Sequence, residues 1–338
     1  MAATLALCLA ATACHSEPIH HEQRPTGPTF VPSGTLLVDT RGFEQRLLAV
    51  RLPAGSPQLL SDYFGQFRLG AAWGPGGVAY SLEQSTFDLS PASQLYRLTG
   101  RTRPQPVGGD VRGGSGFAFA RHLAVTWTCL NGPGSVFVMD VSASKPSWDR
   151  FARGCGAGIS PDGRTIAFIR KGGVWEELLD GGRSEQVLSP GDVPQLKALG
   201  IGGFQQTPGI ALGSEGLAVA AGSLQEGSAI VVVRSNHAPQ VVPLGTTTLL
   251  WMAWQPKGRL LAFADRIESA QVTEVRTFDP TTGTVREVAV SQGQGTVWSP
   301  DGKVLAIFKG ASVVAFVDPD GLQLATDSVQ GEPHAWKS

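Results

Sequence analysis

Seven charged residues in predicted loops carry side chains suited to binding a polar ligand. A guanidinium forms paired hydrogen bonds with carboxylates and phosphates. If the fold places these groups in a ring around the mouth of a central channel, they could therefore hold an anionic or polar ligand. The alternative is that the same groups only hydrate a funnel. The seven residues are Arg68, Asp110, Arg112, Arg153, Arg170, Asp265 and Arg266.

Three aromatic residues lie close together in the segment SDYFGQFRLG at 61–70. They are Tyr63, Phe64 and Phe67. Aromatic side chains are enriched in the cores of protein interfaces, so this trio could form a patch for a partner protein. Alternatively, the three rings are wedged between neighbouring structural units.

No local motif points to catalysis. The chain has no GxSxG elbow of a serine hydrolase. His122 and His237 lie in or beside predicted strands, where we expect structural roles. We therefore assign no catalytic residue, no metal and no cofactor. A metal site built from scattered acidic residues and histidines leaves no local motif, so a metal-dependent hydrolase or lactonase-like enzyme stays open as the alternative function.

Composition narrows the classes of partner. Lysine and arginine total 27 against 28 aspartates and glutamates, and no block of like charge stands out. A nucleic-acid-binding protein normally shows a basic stripe. We therefore expect no nucleic-acid partner for this chain. Glycine is abundant at 43 residues and proline reaches 23. Short apolar runs between such turn residues favour an all-β chain.

The N-terminus indicates export. Residues 1–13, MAATLALCLAATA, are too short to span a bilayer and resemble the end of a secretory signal peptide. The following ATAC resembles the lipobox of bacterial lipoproteins, in which the cysteine, here Cys14, becomes the lipidated first residue. Ordinary cleaved secretion and a soluble internal N-terminus are the alternatives. We expect residues 14–29 to form a flexible tether and residues 30–338 to form the folded domain.

The folded domain is a repeat. An apolar anchor, a Pro or Gly turn and a β-rich run recur, most clearly in ISPDGRTIAFI at 159–169, WQPKGRLLAFA at 254–264 and WSPDGKVLAIF at 298–308. Successive anchors are 40 to 53 residues apart, and a period in the forties is typical of four-stranded propeller blades. We expect seven blades, or six if the degenerate unit at 116–127 is not one. The anchors stand at positions 30, 73, 119, 159, 212, 254 and 298.

The last residues look like an unfinished unit. HAWKS places Trp336 at the anchor position, roughly one period after Trp298. Closed propellers leave no unpaired edge in the ring. We therefore expect residues 332–338 to supply the innermost strand of the blade that starts near Gly34. The alternative is that Phe30, on the N-terminal side, supplies that innermost strand.

The strongest units resemble the WD-repeat-like blades of TolB-type propellers, a family common in bacterial envelope proteins. The resemblance covers roughly residues 30–338. It implies a rigid disc with protein-binding or ligand-binding loops and no specific activity. In this topology the loops that join blades, and those that join second to third strands, share one face.

Two cysteines map to that face. Cys129 lies in TCLNGPG and Cys155 in RGCGAG, on adjacent predicted blades. An exported compartment permits a disulfide between them, and no histidine-rich neighbour completes a zinc set. We expect the disulfide; separate thiols or a metal pair are the alternatives.

These patterns predict an exported, lipid-anchored, monomeric β-propeller. Its function would be to bind an envelope protein or a small ligand on the loop face. Contact with the membrane would be through the lipid only. The alternative is a propeller enzyme that acts on a small extracellular substrate.

Overall fold

The prediction of an all-β propeller is confirmed. In the computed structural model, the described residues form seven four-stranded antiparallel sheets arranged as blades around one axis. The sheets alternate short strands with tight turns, as the glycine and proline content predicts. The described ranges are 30–40, 44–53, 55–64, 66–85, 91–100, 103–129, 134–205, 208–223, 227–293, 295–310 and 312–338.

Blades 1 to 4 are built from the first half of the chain and its last strand. Within each blade the strands run outward from the axis. Blade 1 consists of β28 (Glu332–Lys337), β1 (Gly34–Asp39), β2 (Glu44–Leu52) and β3 (Gln58–Phe64). Blade 2 consists of β4 (Gln66–Trp73), β5 (Ala79–Ser85), β6 (Ala92–Leu98) and β7 (Gln105–Arg112). Blade 3 consists of β8 (Gly114–Ala120), β9 (Leu123–Thr128), β10 (Ser135–Asp140) and β11 (Asp149–Ala152). Blade 4 consists of β12 (Cys155–Ile159), β13 (Thr165–Arg170), β14 (Gly173–Leu178) and β15 (Glu185–Leu188).

Blades 5 to 7 follow the same pattern. Blade 5 consists of β16 (Ile210–Gly213), β17 (Gly216–Ser223), β18 (Gly227–Val233) and β19 (Gln240–Gly245). Blade 6 consists of β20 (Thr248–Trp254), β21 (Leu261–Ile267), β22 (Val272–Asp279) and β23 (Thr284–Ser291). Blade 7 consists of β24 (Thr296–Trp298), β25 (Leu305–Gly310), β26 (Val313–Val317) and β27 (Gln323–Ser328). The α-helix α1 (Pro194–Ala198) and two short 3-10 turns complete the elements of the described ranges.

The C-terminal strand closes the ring, as the sequence predicts. β28 pairs with β1 so that Trp336 lies opposite Leu36, and β28 also contacts β4 and β24 of the neighbouring blades. Phe30, the alternative source of this strand, packs beside this core instead, with its ring centroid 6.4 Å from that of Phe316. The degenerate unit at 116–127 forms the β8–β9 hairpin of blade 3, so the count of seven stands.

The anchor tryptophans explain the spacing of the repeat. The indole N–H of Trp254 donates to the carbonyl of Ala211 at 3.1 Å, and that of Trp298 donates to Ala253 at 3.1 Å. Each anchor therefore links its innermost strand to that of the preceding blade. Gly213 lies against the Trp254 ring, where a Cβ atom would come within 2.4 Å. A small residue is required at this close approach.

The SPDG turns form as their residue types predict. In the turn after β12, the Ser160 hydroxyl donates to Asp162 at 2.6 Å, and the N–H of Gly163 donates to the Ser160 carbonyl at 2.8 Å. Gly163 has φ of +71°, which glycine adopts without strain. The turn after β24 repeats the arrangement with Ser299 and Asp301.

The long connection between blades 4 and 5 belongs to the core. Val193 and Leu196 are fully buried, and Ile201 is nearly so, in one apolar cluster with both blades. Leu199 is exposed. This segment therefore covers the edge of the two blades with its apolar side.

No helix within the described ranges is long and apolar enough to cross a membrane. Residues 1–29, with the predicted signal, the tether and Cys14, lie outside the described residues.

Candidate functional site

The propeller has two distinct faces. We call the side that carries the blade-to-blade loops, and the loops between second and third strands, the loop face. We call the opposite side, with the tight hairpin turns, the turn face. A charged cluster lies near the loop-face ends of β1, β4, β5 and β28, where blades 1 and 2 meet the channel. It consists of Asp39, Arg68, Ser81, Glu83 and His334.

Arg68 is the centre of the cluster. One of its terminal nitrogens lies 2.6 Å from Asp39 Oδ1 of blade 1, and the other lies 3.3 Å from Glu83 Oε1 of its own blade. Its Nε donates to the Ser81 hydroxyl at 3.0 Å, which in turn donates to Glu83. The Arg68 and Glu83 side chains are only 3% and 1% exposed. The guanidinium thus joins the two blades inside the protein.

The local structure that places these groups is simple. β4 and β5 form a hairpin in which Arg68 is the direct cross-strand partner of Glu83. Asp39 is the last residue of β1, and β28 brings His334 alongside it. The closing strand therefore completes the cluster.

The two carboxylates have opposite electrostatic behaviour. Burial raises the pKa of Asp39, but the neighbouring His334 and the charge of Arg68 outweigh burial and hold that pKa below its ordinary value. Burial dominates at Glu83 and raises its pKa, although Arg68 and Ser81 partly offset it. Glu83 Oε2 is buried without a hydrogen-bond partner among the described residues. The cluster therefore favours a charged Asp39 and disfavours a charged Glu83.

His334 is the member of the cluster that reaches solvent. Its Nε2 lies 3.7 Å from Asp39 Oδ2, and its side chain is 30% exposed. A carboxylate behind an imidazole orients the ring.

Two other predicted residues make contacts within single blades. Asp265 is fully buried and accepts from Arg276 Nε at 3.0 Å. The guanidinium of Arg170 stacks on the Trp175 ring at 3.8 Å. Neither side chain belongs to the cluster around Arg68.

The remaining predicted residues lie nearer the surface of the loop face. Arg266 approaches Glu268 at 3.5 Å. Asp110, Arg112 and Arg153 are exposed where the chain leaves blades 2 and 3. The backbones of Tyr63, Phe64 and Phe67 belong to β3 and β4, whereas their side chains lie outside the described residues.

Cys129 and Cys155 meet where blades 3 and 4 adjoin. Both are free thiols in the structure, and both belong to one apolar cluster at this junction. The interaction of the two thiols lowers the pKa of Cys129. The same interaction, together with burial, raises the pKa of Cys155. The predicted disulfide therefore joins residues that are in contact, and it stays a prediction.

Three charged members of the cluster were not predicted from the sequence. Asp39 and Glu83 follow apolar residues in their strands, and His334 lies in the mixed segment GEPHAWKS. A single unit gives no reason to select any of the three. A signal appears when the units are aligned. LLVD at 36–39, AYSLE at 79–83 and AFAD at 262–265 each place an acidic residue at the end of the second strand or within two residues of it.

Comparison with known proteins identifies a shared fold. No protein-family model and no curated protein matches the chain. TolB from Acinetobacter baumannii is 16% identical, with a TM-score of 0.53 over 90% of this chain and 68% of that one. A predicted 6-phosphogluconolactonase from Bacteroides uniformis is 13% identical, with a TM-score of 0.58 over 90% and 98% of the two chains. A similar protein from Bacteroides fragilis is 15% identical, with a TM-score of 0.55 over 93% and 99%. At this identity the likeness concerns the fold alone.

Proposed function

We propose that the chain is an exported, lipid-anchored propeller whose loop face binds a protein of the bacterial envelope. The observation that carries the proposal is the distribution of charge on this face. Arg68 and Asp265 are committed to internal ion pairs, whereas Asp110, Arg112 and Arg153 are exposed. Exposed charges on a rigid surface steer and select a protein partner.

Reversing the exposed charges tests this proposal. In Arg112→Glu/Arg153→Glu, we expect recovery of the partner with the tagged full-length chain to fall at least about tenfold, because like charges across an interface cost several kcal/mol. The measurement is affinity purification from the native cells after mild crosslinking. The matched control is Arg183→Glu/Lys303→Glu, which reverses two exposed charges on the turn face. An equal loss in both variants would contradict a binding surface on the loop face.

Lipid attachment is proposed at Cys14. Cys14→Ala should abolish incorporation of a labelled fatty acid and move the protein from the membrane fraction to the soluble fraction. Cys8→Ala is the control, because Cys8 belongs to the predicted signal and should not affect labelling. Labelling that survives Cys14→Ala would contradict the anchor.

A disulfide between Cys129 and Cys155 is proposed for the exported protein. The two thiols would lose two protons and two electrons by exchange with the disulfide of an export-compartment thiol oxidase. In denaturant, we expect a maleimide to label both cysteines only after reduction. Reduction should lower the free energy of unfolding by about 3 kcal/mol, since the bond closes a loop of moderate length. Full labelling without reductant would contradict the bond.

The second candidate function is a propeller enzyme that acts on a small extracellular substrate. The observation in its favour is the solvent-reaching His334 against Asp39, an arrangement that suits a general base. Among the described residues, no three acidic, histidine or cysteine side chains are placed to hold a metal ion. Hydrolysis of lactone or ester probes that disappears in His334→Gln would support this enzyme against the binding module.

A further inference from the structure

A groove on the turn face lies between blades 1 and 2. Its volume is about 390 Å³, within the range of small-molecule sites. Leu60 and Leu98 form part of an apolar floor, while Thr35, Ser56 and Gln58 contribute polar groups to the lining. The groove lies at the opposite end of the blades from the charged cluster.

Two cations line this groove. Lys337 Nζ lies 3.6 Å from the centroid of the Trp73 ring and donates to the Gly77 carbonyl at 2.8 Å. An ammonium has three donors, so the carbonyl leaves capacity for a ligand. Arg51, on β2 of the same blade, is exposed; it and Lys337 both pair with Thr35 of β1, one from each side.

Neither cation is neutralised within the described part of the chain. The ion pairs found there, at distances up to 4.0 Å, involve neither Lys337 nor Arg51. No aspartate or glutamate lines the groove. Burial lowers the pKa of Lys337, so its charge is already partly removed from water. A bound anion would compensate that cost.

The corresponding groove between blades 4 and 5 has a different character. Its volume is about 430 Å³, and Glu176, Glu215 and Arg234 lie on its walls. The groove between blades 4 and 5 therefore does not share the excess of positive charge found between blades 1 and 2.

We propose that this groove binds a small molecule that bears a carboxylate or phosphate group. Lys337, whose ammonium reaches across to Trp73 of blade 2, and Arg51 hold the anion, and the apolar floor covers the body of the molecule. The inference is independent of the function proposed for the loop face, since the two sites share no residue.

Calorimetric titration of the full-length chain with inorganic phosphate and with succinate tests the proposal. We expect saturable binding of at least one of the two probes at constant ionic strength. The affinity should fall at least about tenfold in Arg51→Gln and in Lys337→Gln, because each removes a charge-assisted hydrogen bond. Lys303→Gln, which changes an exposed lysine elsewhere on the turn face, should bind like the unaltered chain.

The two probes distinguish the anionic group of the ligand. Binding of phosphate alone would indicate a phosphate ester as the ligand, and binding of succinate alone would indicate a carboxylate. Lys337 also belongs to the closing strand, so Arg51→Gln, on β2, decides the question if Lys337→Gln fails to fold. No saturable binding of either probe, or equal affinity in Arg51→Gln and the unaltered chain, would overturn the site.

Discussion

Removal of residues 332–338 should abolish the cooperative fold. The deletion takes β28 from blade 1, exposes the backbone edge of β1 and breaks the contacts of β28 with β4 and β24. Trp336 is lost with it, along with its hydrogen bond to the Ser33 carbonyl at 2.9 Å and its edge contact with Phe316 at 5.4 Å. We expect a loss comparable with the whole stability of a domain, about 5–15 kcal/mol, in urea unfolding followed by circular dichroism.

The control for this deletion removes Ser338 only and should unfold like the full chain. A peptide of residues 331–338, added in trans, should restore a cooperative transition to the truncated protein, because it supplies the missing strand. The single substitution Trp336→Ala should cost about 3 kcal/mol. A truncated chain that unfolds with an unchanged midpoint would show that β28 is not needed for closure.

Replacement of Arg68 should be the most damaging single change at the loop face. Arg68→Ala leaves the carboxylates of Asp39 and Glu83 buried without their shared cation. Removal of one partner from a buried ion pair costs about 3–5 kcal/mol. We expect this loss in the free energy of unfolding at pH 7.

Arg259→Ala is the matched control for Arg68→Ala. Arg259 pairs with Asp279 at 3.0 Å, but its side chain is 58% exposed, so its loss should cost about 0–1 kcal/mol. Adding Glu83→Gln to Arg68→Ala should restore part of the stability, because it removes one uncompensated charge. Equal losses for the two arginine variants would contradict a buried cluster.

The pH dependence of stability separates the two carboxylates. The lowered pKa of Asp39 gives stability that is present above its ordinary value of 3.8 and is lost as the pH falls through the folded value. The raised pKa of Glu83 makes stability depend on pH in the opposite direction. The stability that Glu83 contributes is fully present below its ordinary pKa of 4.5 and is lost as the pH rises through the folded pKa. Glu83→Gln should therefore flatten the decrease above pH 4.5, while Asp39→Asn should flatten the decrease in acid.

The fold was predictable because its signals are local and repeated. Each turn such as SPDG brings its own hydrogen bonds, and each anchor tryptophan occupies the same place in its unit. HAWKS was informative because Trp336 could be compared with Trp298. Blade 3 is the hardest blade to identify from the sequence. Its unit lacks the Pro or Gly turn and has no tryptophan at its anchor position.

The candidate site was only partly predictable. The sequence predicts that Arg68 is a charged residue near the channel, but nothing in the neighbouring residues indicates that its side chain is buried. Its burial depends on Asp39 from the preceding blade and on Glu83 across the hairpin. Such partners are fixed by the register and by the packing of blades, which a single sequence does not state. His334 required, in addition, the closing strand to be in place.

The central claim is that the loop face is the surface that binds a partner. The direct test is photocrosslinking in the native cells, with the full-length chain carrying a photoreactive residue at one position at a time. Positions 110, 112 and 153 should each crosslink to one and the same envelope protein, while positions 183 and 303 on the turn face should not. Crosslinks to that protein from the turn face alone, or no crosslinked protein from the loop face, would contradict the claim.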